Sequence, residues 1–211
     1  MNDVIARKVA ESLVDIRAVG FVLDKPITFK SGIISPMYID NRKLPSYPNE
    51  WRIVLDSFIQ KMKEQNTDFE VIAGIETAGI PHSAGLGVLL NKPSVFIRKE
   101  AKDHGTKKMV EGGEVAGKTV LLIEDLVTTG GSSLHGVKEL KSAQAVVKDC
   151  FVIVSYGFPV SKKAFADASV KLTALTDIDT LMEVAQSRGL LNNKDKKVIT
   201  AWYNDPWNWG K

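Results

Sequence analysis

Apolar side chains at Ile5, Val9, Leu13 and Ile16 fall three or four residues apart, one face of a helix. That stripe predicts a helix over residues 3–19, ending at Gly20, a residue suited to the left-handed turn that closes many helices. Residues 21–47 are irregular, broken by Pro26, Gly32, Pro36 and Pro45, with strand-like pieces around Ile27–Phe29 and Met37–Ile39. Trp51, Val54, Leu55, Phe58 and Met62 mark a second amphipathic helix. The pattern then changes to short apolar runs alternating with helical segments. Val71–Ile75, Ser94–Arg98, Thr119–Glu124, Cys150–Ser155 and Lys171–Leu175 read as strands buried on both faces. Residues 79–90, 131–146 and 159–168 read as crossover helices, and 177–188 and 194–204 as two final ones. The alternation predicts an α/β fold whose central, mostly parallel five-stranded sheet is flanked by helices.

The chain of 211 residues fits a single domain, 1–211: an N-terminal part to residue 48, a core sheet over 70–176, and C-terminal helices over 177–211. Its hydrophobic share of 44% and charged share of 25% are those of a soluble globular protein. A net charge of +3 gives no reason to expect a nucleic acid or an anionic membrane as partner. The single cysteine, Cys150, lies in an apolar run and is expected in the core. The opening Met1-Asn2-Asp3 has no basic region followed by an apolar stretch, and no run approaches a membrane span. The expectation is a cytoplasmic protein.

The densest chemistry lies in Val120-Leu-Leu-Ile-Glu124-Asp125-Leu126-Val127-Thr128-Thr129-Gly130-Gly131-Ser132-Ser133. A hydrophobic strand meets two adjacent carboxylates, and a Thr/Gly/Ser loop opens a helix. Exposed N–H groups at a helix start cradle a phosphate, and the helix dipole adds partial positive charge. The glycines admit close backbone approach, while hydroxyls add donors. Ionised carboxylates beside that loop suit the vicinal hydroxyls of a ribose. The plain alternative is a buried strand followed by an ordinary capped helix. A second spelling, Gly112-Gly-Glu-Val-Ala-Gly117-Lys118-Thr119, matches the Walker A pattern. Its context is inverted, because Gly-Lys-Thr runs into a strand instead of opening a helix, so a turn is expected there. The polar run Arg98-Lys99-Glu100-Ala101-Lys102-Asp103-His104-Gly105 alone would be a solvated loop. Beside a pyrophosphate site its cations would stabilise charge on a departing group, and His104 would be placed to bond or move a proton.

The strand–loop–helix motif resembles the phosphoribosyl-pyrophosphate signature of the type I phosphoribosyltransferases. Arg98–Gly105 is similar to the catalytic loop of the orotate phosphoribosyltransferases, the pyrimidine-biosynthetic branch of that family. Thr28-Phe29-Lys30-Ser31-Gly32 with Ser35-Pro36-Met37-Tyr38-Ile39-Asp40 resembles the same branch's amino-terminal segment. Gly74-Ile75-Glu76-Thr77-Ala78-Gly79-Ile80-Pro81 falls where the family carries its pyrophosphate loop. The resemblance spans roughly residues 25–133. It implies a type I phosphoribosyltransferase fold with a small N-terminal hood that binds the base. It also implies transfer of the 5-phosphoribosyl group from phosphoribosyl pyrophosphate to orotate, giving orotidine 5-phosphate and pyrophosphate in de novo UMP formation.

Carried over by position, the resemblance assigns Lys102, His104 and Asp125 to catalysis. Lys30, Thr77, Arg98, Lys99, Lys102, His104 and the run Glu124, Asp125, Leu126, Val127, Thr128, Thr129, Gly130, Gly131 and Ser132 would bind phosphoribosyl pyrophosphate. Tyr38, Ile39 and Thr128 would contact orotate. Mg2+ would ride on the substrate's oxygens, with no dedicated protein ligand set. A homodimer would share the loop of residues 98–113 across its interface. Two departures stand out. Thr77-Ala78 replaces the Tyr-Lys common in the pyrophosphate loop, and Ser155-Tyr156-Gly157-Phe158-Pro159 lacks the arginine that meets the orotate carboxylate in many members. Arg42 is a candidate to grip that carboxylate instead; the alternative is that it pairs with Asp40. Transfer to another nucleobase, or a non-catalytic sensor of phosphoribosyl pyrophosphate, stays open.

Overall fold

The computed structural model describes residues 3–100 and 108–210. The Asp3 carboxylate accepts the N–H groups of Ile5 and Ala6 and starts α1 (Val4–Asp15), which buries Ile5, Val9 and Leu13. The helix stops earlier than the stripe suggested, because Arg17 takes a φ of +54° and turns the chain. Four short strands follow: β1 (Val19–Phe21), β2 (Ile27–Thr28), β3 (Ile34–Ser35) and β4 (Met37–Ile39). They form two antiparallel ribbons, β1 with β4 and β2 with β3, which together make the hood. Gly20 is therefore a strand residue and not a helix stop. It lies opposite Tyr38, and a Cβ there would come 2.3 Å from that ring. A 3-10 turn over Asn41–Ser46 leads into α2 (Pro48–Glu64).

The remaining elements alternate as the pattern requires: β5 (Val71–Ile75), α3 (Gly79–Leu90), β6 (Ser94–Ile97), β7 (Val110–Glu111), β8 (Val120–Val127), α4 (Gly131–Ser142), β9 (Asp149–Ser155), α5 (Pro159–Asp167), β10 (Lys171–Asp177), α6 (Ile178–Ser187) and α7 (Asn193–Asn204). The main sheet runs β10-β9-β8-β5-β6-β7 and is parallel except at β7. It has six strands and not five, since β7 pairs antiparallel with β6 through only Val110 and Glu111. Two residues leave no hydrophobic run for the sequence to show. The α4 helix ends at Ser142, before the expected 146, because Gln144 takes a φ of +64° and Val146 bridges to Thr119.

Successive side chains of a strand point to opposite faces, and both faces here are covered. Leu121, Ile123, Phe151 and Ile153 pack with the side chains of α1, α2 and α6 on one face. Leu122, Cys150 and Val152 pack with Val137 and Leu140 of α4 and Phe165 of α5 on the other. Each such buried side chain contributes about 1.5–3 kcal/mol. Cys150 is fully buried, as its apolar neighbours predict. Gly117, with a φ of +74°, turns the chain directly into β8, so no helix follows the Walker-like spelling.

Candidate active site

The site is built around the end of β8. The strand runs past the expected Glu124 to Val127, with Leu126 opposite Val154 and Val127 opposite Ser155. The acidic pair therefore sits inside the hydrogen-bonded ladder and not in the loop after it. Thr128 and Thr129 turn the chain, and Gly130 takes a φ of +89° with Phe165 close behind. No side chain caps α4, so the first-turn N–H groups are left to an anion. A Cβ on Gly131 would meet nothing within 4 Å.

Glu124 braces this turn from below. Its carboxyl is buried and accepts the Ser132 hydroxyl at 2.9 Å, the Ser133 hydroxyl at 3.4 Å and the Asp125 N–H at 3.1 Å. Burial first, and the neighbouring Asp125 charge second, push Glu124 well above the usual carboxylate range. Burial also raises Asp125, while its hydrogen bond with Glu124 lowers it, so Glu124 holds its proton more tightly and Asp125 is the readier anion. Asn41 donates to the Asp125 carbonyl at 2.7 Å, which ties the segment behind the hood to β8.

A cleft of about 510 Å³ opens beside this turn. Thr128, Thr129, Gly130, Gly131 and Ser132 form one wall, with Leu126 beneath and His135 one turn further along α4. Arg98, Lys99 and Glu100 after β6 form another wall, and Phe29, Lys30 and Ser31 close it from the hood. Three expected cations, Lys30, Arg98 and Lys99, thus meet the expected phosphate loop. Arg98 reaches Glu111 at 3.4 Å, and the Lys99 N–H donates to Glu76 at 2.8 Å, which seats the start of the 98–113 loop against the end of β5. Other expected residues stand apart. Val127 turns its side chain into the core, and Thr77 is exposed beside the cleft without lining it. Tyr38 lies over Gly20, and neither it nor Ile39 lines the cleft. Arg42 pairs with Asp40 at 2.6 Å, the alternative weighed for it, and its charge still favours the ionised form of Asp125. Lys102 and His104 lie outside the described residues.

His135 and Ser133 were not singled out from the sequence. His135 follows Gly131 by four residues, so helical spacing places both on one face, and that spacing was the available signal. Ser133 is a buried partner of Glu124, which only the fold reveals.

A family model described as the phosphoribosyl transferase domain matches residues 48–172. The orotate phosphoribosyltransferase of Listeria innocua is 40% identical over 207 residues, which is 98% of this chain and 99% of that protein. The structure superposes on orotate phosphoribosyltransferase from Aeropyrum pernix with a TM-score of 0.75 at 27% identity, covering 87% of this chain and 99% of that one. It also superposes on UMP synthase from Leishmania donovani with a TM-score of 0.82 at 26% identity, covering 94% of this chain but 42% of that longer protein. The family model matched over residues 48–172, on a mostly parallel sheet, makes the chain a phosphoribosyltransferase by class. Within that class, the chain belongs to the orotate phosphoribosyltransferase family.

Proposed function

We propose that the chain transfers the phosphoribosyl group of phosphoribosyl pyrophosphate to orotate. The observation that carries the reading is the uncapped start of α4 facing Lys30, Arg98 and Lys99 across one cleft. In this reading the N–H groups and hydroxyls of Thr128–Ser132 hold the 5-phosphate, and Asp125 holds the ribose hydroxyls. A ring nitrogen of orotate forms a bond to ribose C1 as the C1–oxygen bond breaks. The electron pair leaves with pyrophosphate, and the nitrogen gives up its proton. Arg98, Lys99, Lys102 and His104 stabilise the departing charge, and the uncapped start of α3 after Thr77 adds backbone donors. Positioning supplies most of the remaining acceleration. With Arg42 held by Asp40, Lys30 is a cation of the cleft wall that can meet the orotate carboxylate, and Phe29 and Thr128 line the cleft with it.

The donors present suit Mg2+. Asp125 offers a hard oxygen of the kind that Mg2+ prefers. A Mg2+ ion held there would supply charge neutralisation. The reading includes a cytoplasmic homodimer that shares the loop of residues 98–113 across its interface. Among the described residues no helix is long and apolar enough to cross a membrane.

The test is pyrophosphate release from phosphoribosyl pyrophosphate and Mg2+ with orotate, uracil or adenine as acceptor. Release with orotate alone is expected; release with uracil or adenine instead would move the reading to another base. Lys102→Ala should lower turnover by roughly 100- to 1000-fold with an unchanged melting temperature. Mixing it with Asp125→Asn subunits should restore partial activity, and verified heterodimers without rescue would remove the shared site.

A further inference from the structure

The base end of the cleft is held from behind by residues far away in sequence. The α7 helix is polar for most of its length and buries only Ile199 and Trp202. Trp202 is fully buried, and its indole N–H donates to the Ile34 carbonyl at 2.7 Å. Ile34 is opposite Thr28 in the β2–β3 ribbon, and the Phe29 N–H donates to the Ile33 carbonyl at 2.8 Å. The next residues, Phe29, Lys30 and Ser31, are the hood's wall of the cleft. The Trp202 ring also meets Phe29 edge-on, with centroids 6.3 Å apart. One residue later, the Tyr203 hydroxyl donates to the Tyr156 carbonyl at 2.7 Å. Tyr156 in turn donates its N–H to the Val127 carbonyl and packs its ring 5.6 Å from Phe29. Two adjacent residues of α7 thus grip the hood wall and the segment beside the β8 turn.

We propose that α7 positions the base end of the site, with Trp202 as the positioning residue. The inference rests on the reading of the cleft as a phosphoribosyl and orotate site. The phosphate turn has its own support in Glu124 and α4, so the Trp202 bond to Ile34 acts mainly on the base end, while Tyr203 reaches the β8 segment through Tyr156. A buried indole N–H bonded to a strand carbonyl fixes a register that packing alone leaves loose, because ring contacts tolerate sliding and a 2.7 Å hydrogen bond does not. Placing Lys30 and Phe29 correctly before the base arrives removes an ordering cost from binding.

Trp202→Phe keeps an aromatic ring and removes the donor; Tyr203→Phe removes only a hydroxyl from a half-buried position. Steady-state kinetics of both, with each substrate varied, are compared with hydrogen exchange of the Phe29 amide. In Trp202→Phe, KM for orotate should rise about 5- to 10-fold, as loss of one buried hydrogen bond implies, with KM for phosphoribosyl pyrophosphate and kcat within about twofold. Phe29 exchange should quicken while the β8 amides keep their protection. Equal rises in both KM values, or a lower melting temperature with unchanged orotate KM and unchanged Phe29 exchange, would overturn the proposal. Absence of orotate turnover in the unaltered enzyme would strike the functional reading alone, and Phe29 exchange would then decide the positioning role.

Discussion

The two ends of the cleft are made in opposite ways. The wall read as the phosphate end comes from one continuous run, Thr128 to His135, a turn and the helix after it. The wall read as the base end is Phe29–Ser31, backed by Ile34, Tyr156 and Trp202, a set that no short stretch contains. A continuous run fixes its geometry through local backbone hydrogen bonds. An assembled end depends on packing between distant elements and is correspondingly easier to loosen.

The sharpest way to break this contrast is Gly131→Val. The site leaves space for the new side chain, so the protein should fold, yet the branched group would stand where the phosphate must approach. Affinity for phosphoribosyl pyrophosphate with Mg2+, measured by titration calorimetry, should fall roughly 100-fold or more, in line with the loss of several charge-assisted hydrogen bonds. Unchanged affinity in the folded variant would move the phosphate elsewhere.

A pH scan separates the ends by charge. Glu124 keeps its proton above the usual glutamate value because it is buried beside Asp125. Above that usual value the unfolded chain has released this proton while the folded chain holds it, so Glu124 makes stability fall as pH rises towards its raised value. Glu124→Gln should flatten that slope in denaturant titrations; Asp125, also raised, leaves a smaller slope of the same sign. A variant with the full slope would mean that Glu124 is ionised in the fold.

His135→Ala tests how far the phosphate end extends along α4. KM for phosphoribosyl pyrophosphate should rise by up to about tenfold and exceed any change for orotate, as expected for one lost polar contact. A larger rise for orotate would reassign His135 to the other end. The smallest effect is expected from Tyr156→Phe. The buried Tyr156 hydroxyl has no hydrogen-bond partner among the described residues, so its removal should leave the melting temperature unchanged or slightly raised. A clear loss of stability would reveal a partner for it.

This contrast also explains what was legible in the sequence. The parallel core could be read because strands buried on both faces leave unbroken apolar runs, such as Val71–Ile75 and Cys150–Val154. That Thr128–Ser132 form one wall of a cleft was legible because those residues are consecutive, whereas His135 was not singled out. The two-residue β7 and the pairing of Gly20 with Tyr38 were not, since neither leaves a periodic signal. The reach of β8 to Val127 was hidden because Glu124 and Asp125 read as a polar boundary, although the ladder to β9 continues through them. The tail Asp205-Pro206-Trp207-Asn208-Trp209 is aromatic, and Trp207 packs 5.2 Å from Phe158. That its neighbour Trp202 reaches the hood needed the fold.

The hydrogen bond from Trp202 to Ile34 spans 168 positions, whereas that from Ser132 to Glu124 spans eight. Closing a long loop requires both ends of the chain segment to be present and ordered, and such contacts form late. On the ribosome, a nascent chain that has emerged through β9 already contains every residue of the phosphate end, while the hood waits for α7. The two halves of the cleft therefore mature at different times, and a chain arrested between them would hold the residues for the sugar phosphate without a finished seat for the base.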